Sequence, residues 1–93
     1  MPRTILRARA AVAEALLAAR KRAGFTQREL VARLPGWLGM VHTTIGKIET
    51  GRRALGFVEA QEITKLLGIT VAELDEQSRR IQEARQVRPR RKK

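Results

Sequence analysis

Apolar residues recur at helical spacing through most of the chain. Ile5, Ala8, Val12, Leu16, Ala19 and Ala23 form one stripe and predict a first helix over about 4–23. Gly24 stops it. Thr26-Gln27-Arg28-Glu29 then has the form of a capping box. The Thr26 hydroxyl accepts from the Glu29 amide while the Glu29 carboxylate reaches back to the Thr26 amide. A second helix is predicted from Gln27 to about Leu34, where Pro35 removes the next backbone N–H and Gly36 loosens the chain. Ile45 and Ile48 mark the inner face of a third helix, about 42–50, closed by Gly51. Phe57, Ile63, Leu66 and Leu67 predict a fourth, about 56–67, ended by Gly68. A second capping box, Thr70-Val71-Ala72-Glu73, opens a fifth with Val71, Leu74, Ser78 and Ile81 on one side. No stretch alternates with the period of a strand and no internal repeat is evident, so the predicted fold class is all-α.

Charge adds a direction to this picture. The chain has 93 residues, enough for one small core, and a net charge of +11. Residues 1–10 carry Arg3, Arg7 and Arg9 and no carboxylate. Segment 11–53 holds eight basic and three acidic residues, whereas 54–76 holds one basic and five acidic. Residues 77–93 carry eight basic side chains against Glu83 alone. A basic half backed by an acidic half presents a preferred face to a polyanion, nucleic acid first and an anionic membrane second. The apolar run Ala10–Ala19 contains Glu14 and is followed by more arginines, so it reads as a helix rather than a signal peptide. No span approaches the ~20 apolar residues needed to cross a bilayer. The chain has no cysteine, which excludes disulfides and thiolate metal sites and fits a reducing cytoplasm.

Catalytic chemistry finds no support. His42, Ser78 and Asp75 are the only residues of their types, and His42 lies far from the other two in the chain. No His, Cys or Asp cluster has metal-ligand spacing. Gly39 through Gly46-Lys47 lacks phosphate-loop spacing, and Ile48 stands where a magnesium-holding Ser or Thr is needed. The expectation is a protein that is not an enzyme and has no cofactor or metal.

The segments TQRELVARL, GMVHTTIGKIETGRR and KLLGITVAEL resemble the Xre-type helix-turn-helix family, which includes the phage lambda repressor and Cro proteins. The resemblance covers about residues 11–76 and rests on the ordered set Arg20, Thr26-Gln27, Leu30, Gly39, Ile45, Ile48-Glu49, Gly51 and Leu67-Gly68-Ile69. It implies a compact five-helix, lambda-repressor-like domain whose third helix enters the major groove, in many members as a dimer on a palindromic site. By position, it implies base contacts from Val41, His42, Thr43 and Lys47. It implies backbone contacts from Gln27, Thr44, Arg52 and Arg53, and a buried ion pair between Arg20 and Glu49. The residues agree: with Ile45 and Ile48 inward, His42, Thr43, Gly46 and Lys47 are left outside, and Lys can donate to guanine while Thr offers a hydroxyl and a methyl.

The sequence departs from the family in two places. Residues Pro35–Leu38 form an insertion in the corner, and Val41 stands where Ser or Thr usually caps the third helix. Trp37 is expected to pack partly buried and fix the angle of that helix, with projection toward DNA or a partner as the rival. The organisation expected is a basic extension of the first helix over 1–10, the DNA-binding domain over 11–76, an extension of the fifth helix over 77–87 and a disordered basic tail over 88–93. The functional expectation is a cytoplasmic, nucleoid-associated regulator of transcription, a repressor that binds double-stranded DNA as a homodimer. Two alternatives use the same residues: an antitoxin of the same fold that neutralises a toxin protein, and an architectural nucleic-acid-binding protein without sequence preference.

Overall fold

Capping chemistry decides where the helices begin. The computed structural model describes residues 2–86, and the basic tail 88–93 lies outside them. Among the described residues there are five helices and no strand: α1 (Pro2–Ala23), α2 (Gln27–Arg33), α3 (His42–Glu49), α4 (Phe57–Leu67) and α5 (Val71–Gln86), with a 3-10 turn at Gly36–Leu38. Both capping boxes form. Glu29 N donates to Thr26 Oγ1 at 3.0 Å and Thr26 N to Glu29 Oε1 at 2.9 Å. Glu73 N donates to Thr70 Oγ1 at 3.0 Å and Thr70 N to Glu73 Oε1 at 2.8 Å. Helix α2 stops at Arg33 because Leu34 precedes a proline, whose ring excludes the helical conformation for it; Leu34 is extended, with φ −79° and ψ 151°.

Helix α1 is the spine of the domain. Ala11, Ala13, Ala15, Leu16, Ala19 and Arg20 are all buried, an arc wider than one stripe. Small alanines let the neighbouring helices approach closely. Arg22 reaches Gln77 and Arg85 pairs with Glu14, so α5 runs antiparallel to α1 along its length. Leu30, Leu34, Met40, Ile45, Ile48, Ile63, Leu67 and Leu74 complete the core from the other elements. Leu16, Leu30, Ile45, Ile48 and Ile63 are fully buried, each contributing about 1.5–3 kcal/mol relative to exposure. No helix among the described residues is long and apolar enough to cross a membrane.

Two positions differ from the apolar pattern. Phe57, one of the apolar residues that predict the fourth helix, is that helix's first residue and is largely exposed; Ala60, Ile63, Thr64 and Leu67 form the buried face. Ala23, at the end of the α1 stripe, is also exposed.

Candidate nucleic-acid interface

The α2–turn–α3 corner carries most of the positions singled out in the sequence. Its two helices are joined by a segment that is ordered rather than slack. Leu38 N donates to Pro35 O at 3.1 Å and Gly39 N to Gly36 O at 3.0 Å, closing the 3-10 turn. Gly39 then turns the chain in the left-handed region, φ 70°, which favours a residue without a Cβ. Trp37 does not pin this corner: it is 70% exposed. In a 3-10 turn successive side chains point about 120° apart, so one of them faces inward. That one is Leu38, packed against the core, and Met40 follows it into the interior after the Gly39 turn.

Helix α3 begins at His42, with Val41 as an extended N-cap (φ −122°, ψ 169°). Valine has no side-chain acceptor, and Thr44 supplies the half of the box that remains: its hydroxyl accepts from Val41 N at 3.3 Å. Thr44 is half-buried in that role. Ile45, Ile48 and Glu49 are buried, and Thr43 and Lys47 are exposed on the opposite side, with His42 and Gly46 between. Val41 is exposed at the helix start, beside a hollow of about 260 Å³ that it lines with Arg28, Val31, Ala32 and His42. The outer side of α2 and the N-terminal end of α3 therefore form one continuous face.

A buried ion pair holds that face to the core. Arg20 Nε donates to Glu49 Oε2 at 2.6 Å and Arg20 Nη2 to Glu49 Oε1 at 2.9 Å, a two-bond fork across 29 residues of chain. Arg20 Nη1 donates to Phe25 O at 2.7 Å. The Arg20 and Glu49 side chains are only 9% and 3% exposed, so the charges compensate each other almost out of water. The hydrogen bond to Glu49 raises the Arg20 pKa against the opposing effect of burial.

Three of the four side chains expected at the DNA backbone are engaged within the protein: Thr44 in the cap just described, Gln27 and Arg53. Gln27 Nε2 donates to Glu49 Oε1 at 3.0 Å, making it the third member of the buried cluster, and its amide lies under Gly46. Arg53 donates to Glu59 Oε1 and Oε2, both at 2.8 Å, and to Ala54 O at 3.1 Å. The Arg53 hydrogen bonds, aided by one from Gly56 N, hold the Glu59 carboxyl below its usual range although burial opposes this. Lys47 and Arg52 are exposed and, among the described residues, neither forms a salt bridge.

Sequence reasoning missed the Gln27–Glu49 and Arg53–Glu59 bonds, because neither pair lies at a regular helical spacing. Arg28 was legible only as a polar residue near the start of α2; its place beside His42 depends on how α2 and α3 meet. The Ser78 hydroxyl donates to Asp75 O at 2.9 Å, an ordinary back-bond within a helix. Among the described residues no group of three His, Cys, Asp or Glu side chains has metal-site geometry. Comparison with family models, curated proteins and solved structures finds no match to this chain.

Proposed function

We propose that this chain is a sequence-specific double-stranded DNA-binding regulator, a repressor, that uses α2 and α3 as a lambda-repressor-like helix-turn-helix and reads bases with α3. The observation that carries the reading is the division of α3 into a locked inner side and an open outer side. Ile45, Ile48 and Glu49 are buried, while Thr43 and Lys47 face solvent without an internal role. An eight-residue helix is about 12 Å long and fits a major groove of about 12 Å width. The surroundings suit a polyanion: Arg28, Arg33 and Arg52 are exposed, and the acidic Glu49 is turned inward.

In this reading Val41, His42, Thr43 and Lys47 approach base edges, and Arg52 approaches phosphate. Arg28 joins them as a backbone contact beside His42. Arg53 acts indirectly by fixing the loop that carries Arg52. Dimeric binding to a palindromic site is part of the reading. Exposed Phe57 and Val58, beside a groove of about 280 Å³ lined by Val12, Leu55, Ala60, Val71 and Leu74, offer an apolar surface for a second copy.

Selection from a randomised duplex library tests the proposal. The protein should enrich a defined site and bind random duplex at least ~1000-fold more weakly. Lys47→Ala should relax preference at one or two base pairs. Arg52→Ala should weaken every duplex and reduce the slope of log K against log salt by about 0.9. Equal affinity of the wild-type protein for selected and random duplex would refute the regulator reading.

A further inference from the structure

Trp37 is the largest side chain on this surface and has no task inside the fold. It is 70% exposed on a turn closed by two backbone hydrogen bonds. Leu38 and Met40, on either side of Gly39, already fill the space beneath. An aromatic ring held out by a rigid turn loses little freedom when it docks. The turn joins Arg33, at the end of α2, to Val41, at the start of α3. Between Glu29 and Glu49 the chain carries Arg33 and Lys47 and no carboxylate. The chain on either side of the ring is thus apolar and cationic, which matches a nucleic-acid backbone better than a basic or neutral protein surface.

We infer that Trp37 is a DNA contact in its own right, packing its indole against deoxyribose beside the groove that α3 enters and donating its Nε1–H to a phosphate oxygen. The inference rests on the proposed DNA-binding reading and adds to it a contact outside α3. An indole presents an apolar face and one polar tip, the chemistry of a sugar flanked by phosphate. Such a contact carries no base information; it sets register and adds affinity for any duplex.

Trp37 is the only tryptophan, so its emission reports on the contact directly. In the free protein it should be solvent-like and fully quenched by acrylamide. The library-selected duplex and a random-sequence duplex should both shift the emission and protect it. Trp37→Ala should melt like wild type yet bind both duplexes about tenfold more weakly, the loss expected when an interface tryptophan is truncated. Its salt slope should be unchanged, because the lost group is neutral. Trp37→Phe, which keeps an aromatic face and loses the donor, should fall between.

Wild-type affinity in Trp37→Ala, or a ring as quenchable with duplex as without, overturns the contact while leaving the DNA-binding reading standing. A stoichiometric protein partner that protects the ring when duplex does not would assign the surface to that partner, and also overturns it. If the wild-type chain binds no duplex, both inferences fall together.

Discussion

Replacing Glu49 with Ala should be among the most destabilising single changes available in this chain. Three hydrogen bonds end on its carboxylate: two from Arg20, at 2.6 and 2.9 Å, and one from Gln27, at 3.0 Å. Bonds to a charged group contribute about 1.5–3 kcal/mol each, but these share one acceptor and do not add. The larger effect is on Arg20. Its guanidinium stays buried with Phe25 O as its remaining partner, and an uncompensated buried charge costs about 3–5 kcal/mol. For a domain of this size each kcal/mol moves the melting temperature by about 4–8 °C, so a fall of roughly 12–40 °C is expected. Urea and thermal unfolding followed by far-UV circular dichroism measure it, since exposed Trp37 is a poor reporter of folding. The double variant Arg20→Met/Glu49→Leu removes both charges and should recover most of the loss. A Glu49→Ala protein within about 1 kcal/mol of wild type would refute the reasoning. A double variant as unstable as the sum of the single changes would show that packing, not charge compensation, was lost.

The Arg53–Glu59 pair predicts a pH dependence. Because Arg53 depresses the folded-state pKa of Glu59, its contribution is present above the unfolded value, near 4.5, and is lost as pH falls through the folded value. Wild type and Glu59→Gln should therefore differ most in stability at neutral pH and converge in acid; a difference that is flat from pH 7 to the acid limit would contradict the assignment. The two glycines flanking the start of α3 should respond with opposite signs. Gly39→Ala places a Cβ at φ 70° in open space and should cost about 1–2 kcal/mol through backbone conformation alone. Gly46→Ala adds a Cβ in ordinary contact with Gln27, 3.6 Å away, and should stabilise the helix by up to about 1 kcal/mol. Urea midpoints of the two variants check both signs.

The helices and their caps were legible because their causes are local. A hydroxyl at the N-cap and a carboxylate three residues on need no tertiary partner to recognise each other, and both capping boxes form. The end of α2 followed from the steric demand of Pro35 on Leu34. Side-chain destinations were less legible. Trp37 was expected to pack partly buried, and Phe57 is the other large apolar residue outside; neighbours fill the interior beside each. Leu38 and Met40 occupy the space under the corner, and Ala60 rather than Phe57 faces the core from the first turns of α4. Hydrophobicity ranks the tendency to be buried, but the backbone direction of one turn decides which of two adjacent apolar residues is buried. The loop arginines show the same limit. Arg52 and Arg53 are indistinguishable in sequence, yet Arg53 alone meets Glu59.

Helix α3 has eight residues, fewer than the roughly 12–15 that an isolated helix needs to be even marginally stable. Its existence and its angle are therefore set from outside. At the N-terminal end Met40 anchors the chain and Thr44 caps Val41. In the middle Ile45 and Ile48 are sealed into the core, and at the C-terminal end Glu49 is held by two other helices through Arg20 and Gln27. Every one of these anchors lies at an end of the helix or on its inner side. Thr43 and Lys47 contribute nothing to holding it, so their identities are free to serve something else. The 3-10 turn in the corner fits the same scheme: the helix angle is fixed by anchors on both sides of it, and the turn need only be rigid. Under the proposed reading, this separation lets the outer side of α3 change its base preference without a loss of fold. It also places Trp37, on the 3-10 turn, where it can extend the contact without disturbing the helix that reads.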